Sequence, residues 1–134
     1  MITREEIIEF AQQLPGAATD NPFDQDFDTT VLRHGNSGKW FGIILKAPCK
    51  KLGIDRDGET EILNLKCDPL MSFGLFQSCS AIIPAYHMNK YHWISIILEK
   101  EISKSLWEML VRQSYSLTMK KPAKRKKSDS SDVL

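Results

Sequence analysis

The sequence predicts an α+β domain, an antiparallel sheet with helices packed on one face, in the order α-β-β-β-α-β-α. Three observations lead there. Two β-rich runs flank Gly35-Asn36-Ser37-Gly38, which reads as a hairpin turn. The helical patterns are segregated from the hairpin-connected strands instead of alternating with them, as a parallel sheet would require. A length of 134 residues leaves room for one core and not two.

Each element follows from local chemistry. Thr3-Arg4-Glu5-Glu6 is a capping box, and Ile7, Phe10, Ala11 and Leu14 follow at helical spacing until Pro15-Gly16 stops the run. A first helix is predicted over residues 3–14, then an acidic, turn-rich loop over 17–28. Residues 29–33 and 39–47 are the hairpin strands, and Pro48 ends the second. Residues 48–60 read as a polar connection with a tight turn at Asp57-Gly58. A third strand covers 61–67, with Asn64 and Lys66 on one face and Leu65 and Cys67 on the other. Asp68 suits a helix N-cap and Pro69 the first turn, which predicts a short helix to about Gln77. Residues 78–89 are irregular apart from a brief extended piece at 81–84. Residues 93–98 are apolar enough for a central strand. Ser103 opens a last helix whose buried stripe is read as Leu106, Met109, Leu110 and Leu117, with Trp107 and Tyr115 beside it.

The net charge of +1 hides an asymmetry. Residues 120–134 hold six Lys/Arg and two Asp, whereas residues 1–119 hold twelve Lys/Arg against fifteen Asp/Glu. The body is mildly acidic, which argues against broad phosphate-backbone binding over its whole surface. The tail lacks apolar content and is expected to be disordered in isolation. The apolar runs are far short of a membrane span, and no signal peptide is legible at the start, so a cytoplasmic protein is expected. Three cysteines without CxxC spacing read as free thiols.

Two segments concentrate chemistry. Tyr86-His87-Met88-Asn89-Lys90-Tyr91-His92-Trp93 packs polar and aromatic side chains into a loop entering a strand, and Asn64-Leu65-Lys66-Cys67-Asp68-Pro69 joins a strand to a helix. Together with Ser114-Tyr115 and the opening helix, these motifs resemble the MmcQ/YjbR family of small bacterial proteins over residues 2–119. The resemblance implies a CyaY-like fold likened to a double-wing DNA-binding motif, no established enzymatic activity, and DNA as the nominal ligand. Residues 1–119 are then one domain, and 120–134 a basic appendage. The acidic body and Tyr91 after Lys90, where relatives carry a second basic residue, depart from that pattern.

From the residues themselves, Lys66 and Lys90 suit a phosphate or carboxylate, and Asn64 and Asn89 a base or a polar ligand. Tyr86, Tyr91 and Trp93 offer stacking surfaces. The plainer reading makes the asparagines loop-builders and the lysines solvated. As a set, Trp40, Trp93 and Trp107 read as core. His87 and His92 fix the loop backbone, contact a ligand or, with a spacing that fits poorly, hold a metal. A Cys67–His87 nucleophile–base pair is opposed by Asp68 beside the thiol. No GxSxG, P-loop, GxGxxG or HExxH is present, so no enzyme, cofactor or metal is expected.

The leading expectation is therefore a non-enzymatic DNA-binding domain. In it Lys66, Lys90, Arg33 and Lys39 meet phosphates beside Asn64, Tyr86, His87, Asn89, His92 and Trp93. Lys120, Lys121, Lys124, Arg125, Lys126 and Lys127 add salt-sensitive, sequence-blind contact. Two alternatives stand: a pocket for a small polar ligand built by residues 64–68 and 86–93, and an adaptor for another protein.

Overall fold

A computed structural model describes residues 1–23 and 28–119. The tail contacts expected at Lys120 to Lys127, and the tail's expected disorder, lie outside the described residues.

Helix α1 is Arg4–Gln12, and its capping box forms as the spacing predicts: the Glu6 amide donates to Thr3 Oγ1 at 3.1 Å and the Thr3 amide to Glu6 Oε1 at 2.9 Å. Gly16 takes a left-handed φ of 72° and turns the chain into strand β1, Ala17–Asp20. This strand corrects the expected loop over 17–28. Its sequence carries no apolar alternation because it is an edge strand, held by antiparallel pairing to β2 (Thr30–His34) from Ala17↔His34 to Asp20↔Val31. The Gly35 amide also donates to the Gly16 carbonyl at 2.7 Å, and a Cβ on Gly35 would stand 2.9 Å from that oxygen.

Strands β3 (Trp40–Pro48) and β4 (Glu59–Lys66) follow, then α2 (Pro69–Ser78), β5 (Ile82–Pro84), β6 (Trp93–Ile97) and α3 (Lys104–Leu117). The Leu70 amide donates to the Asp68 carboxylate at 2.9 Å and Pro69 opens α2, the junction read from the sequence. The six strands form one sheet in the order β1-β2-β3-β4-β6-β5, every pair antiparallel. The fold class is thus the predicted one. Two strands are added to the predicted order: β1, and β5, which the sequence marked only as a brief extended piece.

All three helices lie on one face. Ile7 and Ala11 of α1, Met71 and Leu75 of α2, and Trp107, Leu110 and Val111 of α3 pack on Leu32, Ile44, Leu63, Leu65, Ile94 and Ile96. The buried side of α3 departs from the predicted stripe: Trp107, Leu110, Val111 and Ser114 are inside, whereas Met109 and Leu117 are exposed. The phase is set by hydroxyls that hydropathy does not register. Ser114 Oγ accepts the Lys66 amide at 2.8 Å and donates to the Phe41 carbonyl at 2.5 Å. It bridges the backbone at a β-bulge, where the β2–β3 register steps from Leu32↔Gly42 to Arg33↔Trp40 and leaves Phe41 without a partner position. Tyr115 donates its hydroxyl to the Pro15 carbonyl, tying α3 to the end of α1.

The opposite face is partly covered, and less openly than an uncovered sheet would be. The connection read as polar over 48–60 begins with a 3₁₀ turn, Cys49–Leu52, which buries Leu52 against Ala47, Ile62 and Ile97, with Ile54, Ile83 and Tyr86 around them. Among the described residues, no helix is long and apolar enough to cross a membrane.

Candidate functional site

The two segments singled out in the sequence do meet, on the helix-free face of the sheet. Asn64 and Ser95 pair across β4 and β6. The Asn64 amide donates to the Tyr86 carbonyl at 2.9 Å, Ser95 Oγ donates to Asn64 Oδ1, and the Tyr86 amide donates to Ser95 Oγ at 2.9 Å. Asn64 is only 1% exposed, so its polar atoms serve the loop. The contact is a closed hydrogen-bonded seam, which corrects the expectation of an open pocket between residues 64–68 and 86–93. None of the three principal clefts is lined by either segment.

The rest of the loop is held from within. Asn89 Oδ1 accepts the amides of Tyr91 and His92 at 2.8 and 3.0 Å, and Lys90 Nζ donates to the Ala85 carbonyl at 2.6 Å. His87 adopts a left-handed φ of 63°, and its exposed ring lies 4.0 Å from that of Tyr86. His92 presents its carbonyl to the Cys67 amide at 2.8 Å while its ring packs edge-on to Tyr91. Asn64, Asn89 and, in part, Lys90 are therefore loop-builders. His87, His92 and Tyr91 are what the loop displays to solvent.

Beyond the seam, at the far end of the strands, a different set shares the face. Lys66 pairs with Trp93, and Arg33 with Trp40, so these four side chains emerge on one side from β4, β6, β2 and β3. All four are partly exposed. Among the described residues the Lys66 ammonium has no hydrogen-bond or ion-pair partner. Arg33 grips Asp20 with two bonds of 2.8 and 3.1 Å and lies 5.9 Å over the Trp40 ring, which also makes a T-shaped contact with Phe23. Trp40 was not among the sequence candidates, and reading the three tryptophans as core holds only for Trp107, which is 3% exposed. Pairing with Arg33 across the hairpin was the signal that could have placed it. Lys39 stands apart, exposed at the hairpin end, where its charge acts on His34.

Asp20 and Asp68 stand at this end, and a larger group of carboxylates gathers away from it. Asp28, Glu59, Glu61 and Glu99 line a cleft of about 500 Å³ at the opposite end of the strands. There Arg4 binds Glu61 at 2.7 Å, Lys46 lies 3.5 Å from Asp28, and Arg56 clasps Glu99 at 2.8 and 2.9 Å. The guanidinium and the Thr60 hydroxyl hold the Glu99 carboxyl down at about 2.

Two buried groups complete the picture. Burial, and then the Asp68 charge, push the Cys67 thiol up to about 11, so it stays protonated and unreactive near neutral pH. His34, not singled out in the sequence, is buried between Phe41 and Tyr115, with Nε2 2.8 Å from Thr118 Oγ1. Burial lowers its pKa. Among the described residues no three His, Cys, Asp or Glu side chains group as metal ligands.

The sequence matches the YjbR family over residues 12–117. It is 41% identical over 118 residues to the uncharacterized protein YyaQ of Bacillus subtilis, covering 88% of this chain and 99% of that protein. It is 44% identical over 115 residues to the uncharacterized protein YbdF of Escherichia coli O157:H7, covering 86% and 83%. The fold superposes on a crystal structure of a Pseudomonas syringae protein with a TM-score of 0.81 at 31% identity, covering 88% of this chain and all of that one. It also superposes on Deinococcus radiodurans protein DR2400, of domain family DUF419, with a TM-score of 0.71 at 28% identity, covering 100% and 93%. With the Asn64–Asp68 and Tyr86–Trp93 segments forming one seam and Ser114-Tyr115 locking α3 to the sheet, the chain belongs to the YjbR family.

Proposed function

We propose that this protein is a non-enzymatic nucleic-acid-binding domain that works through the Lys66 end of the helix-free face of its sheet. The observation that carries this reading is Lys66, an unpaired ammonium on the same face as Arg33, with Lys90 in the bordering loop. The clustering matters more than the net charge of the body. The carboxylates at the opposite end are mostly neutralised by Arg4, Lys46 and Arg56, which leaves the Lys66 end as the surface an anion would approach. The protonated, buried Cys67 fits a role in packing, which favours binding over nucleophilic chemistry.

Fluorescence polarisation with labelled DNA at two salt concentrations tests the reading. The proteins are the full chain, Lys66→Ala, and a full-length variant with Ser at Lys120, Lys121, Lys124, Arg125, Lys126 and Lys127. The expected result is binding that survives the tail substitutions, weakens steeply with salt and drops several-fold in Lys66→Ala. Affinity that ignores salt, or that vanishes with the tail charges alone, would remove the body from nucleic-acid binding.

A second reading, a protein adaptor, is favoured by a separate observation. Helix α2 carries no charged residue, and Leu70 and Phe73 on its outer side are 90% and 69% exposed. Under that reading Phe73→Asp abolishes co-purification of a partner while leaving DNA affinity unchanged.

A further inference from the structure

Resting on the nucleic-acid reading, we infer that the ligand class is single-stranded nucleic acid, laid across the sheet with bases stacked on Trp40 and Trp93. The four side chains at this end alternate in kind across adjacent strands: Arg33 on β2, Trp40 on β3, Lys66 on β4 and Trp93 on β6. Lys66 stands beside Trp93 and Arg33 beside Trp40, and the Ser114 hydroxyl enters between β3 and β4 where the two pairs adjoin. Each indole is partly exposed and flanked by a cation. Partly exposed indoles accept the flat faces of unpaired bases, and the cations beside them meet the phosphates. A sheet that displays indoles in this way resembles the general solution by which β surfaces bind single strands.

The same features disfavour a duplex. Paired bases offer no free faces to an indole, and a major groove about 12 Å wide admits a helix or a two-stranded ribbon but not the face of a six-stranded sheet. The hairpin turn that a wing would insert, residues 35–39, carries a single cation, Lys39, at its edge. Arg33, gripped by Asp20 at the surface, exchanges one oxyanion partner for another when phosphate arrives.

Tryptophan emission gives a direct readout. Trp107 is buried and supplies a constant background, whereas Trp40 and Trp93 are partly exposed, Trp40 beneath the Arg33 guanidinium that a stacking base displaces. The full chain is titrated with an unstructured oligothymidylate and with a duplex of equal length at low salt. The expected result is roughly tenfold tighter binding of the single strand with quenched emission. Trp93→Ala and Trp40→Ala should each lose roughly tenfold in single-strand affinity, with Trp93→Phe retaining most of it. Rescue by Phe separates stacking from a folding defect. Equal affinity for duplex and single strand with unchanged emission would overturn this inference and leave the nucleic-acid reading standing. Binding of neither would remove both.

Discussion

The two faces of β4 carry opposite logics within eight residues. Toward the helices, Leu63 and Leu65, with Cys67 just past the strand, enter one cluster closed by three helices. On the other side the side chains grade along the strand. Ile62 is buried beneath the 3₁₀ turn, Asn64 is buried but hydrogen-bonded to the Tyr86 carbonyl and to Ser95 of β6, and Lys66 is partly exposed and unpaired. The first face fills volume, apart from Glu61 near the strand's start, which pairs with Arg4 of α1. The other is sorted because it anchors a connection, organises a loop and presents a charge in succession. Substitutions on the first should cost stability alone, and those at the end of the second should change binding alone.

That contrast can be broken at graded cost. Leu65→Ala removes a fully buried side chain from the helix-covered face and should destabilise by about 3 kcal/mol in urea unfolding. A cost below about 1 kcal/mol would mean that the core collapses around the site. Asn64→Leu, on the facing side, strands the Tyr86 carbonyl and the Ser95 hydroxyl and should cost about 2 kcal/mol. Its signature is local: amide exchange should accelerate over residues 85–92 more than in α1 or α3. Unchanged loop protection would show that the Lys90–Ala85 and Asn89 contacts suffice.

His34 sharpens the comparison through pH. Its lowered pKa means that the folded chain prefers the neutral ring, so the unfolded chain binds the extra proton. The contribution is complete above the unfolded value of about 6.5 and is lost as pH falls below it. Urea midpoints should therefore decline between pH 7.5 and 5.5, and the decline should flatten in His34→Phe. Lys39 adds to the penalty on the charged ring, and the Tyr115 backbone opposes it. Lys66→Ala is the smallest change expected in stability, within about 0.5 kcal/mol, while lowering the salt slope of nucleic-acid binding by about 1. A large stability loss there would place Lys66 with the fold instead of with the ligand.

What the sequence by itself determined are the elements whose signals are local. The Thr3–Glu6 capping box, the Asp68-Pro69 helix start and the hairpin around Gly35–Gly38 each depend on residues within a few positions, and each formed as read. The alternation that set Asn64 and Lys66 against Leu65 and Cys67 is equally local, because a strand has a period of two whatever surrounds it.

Only the tertiary structure decided the rest, because the partners are distant in the chain. β1 is a strand because β2 is beside it, and not through its own composition. The phase of α3 was decided when Ser114 found the Phe41 carbonyl and the Lys66 amide, which a hydropathy count reads as a polar residue out of place. Asn64 became a loop anchor and Trp40 part of an exposed row through cross-strand pairings with Ser95 and Arg33. Periodicity states which face a side chain takes. Whether that face is covered, bonded or left open depends on long-range contacts that a linear pattern does not encode.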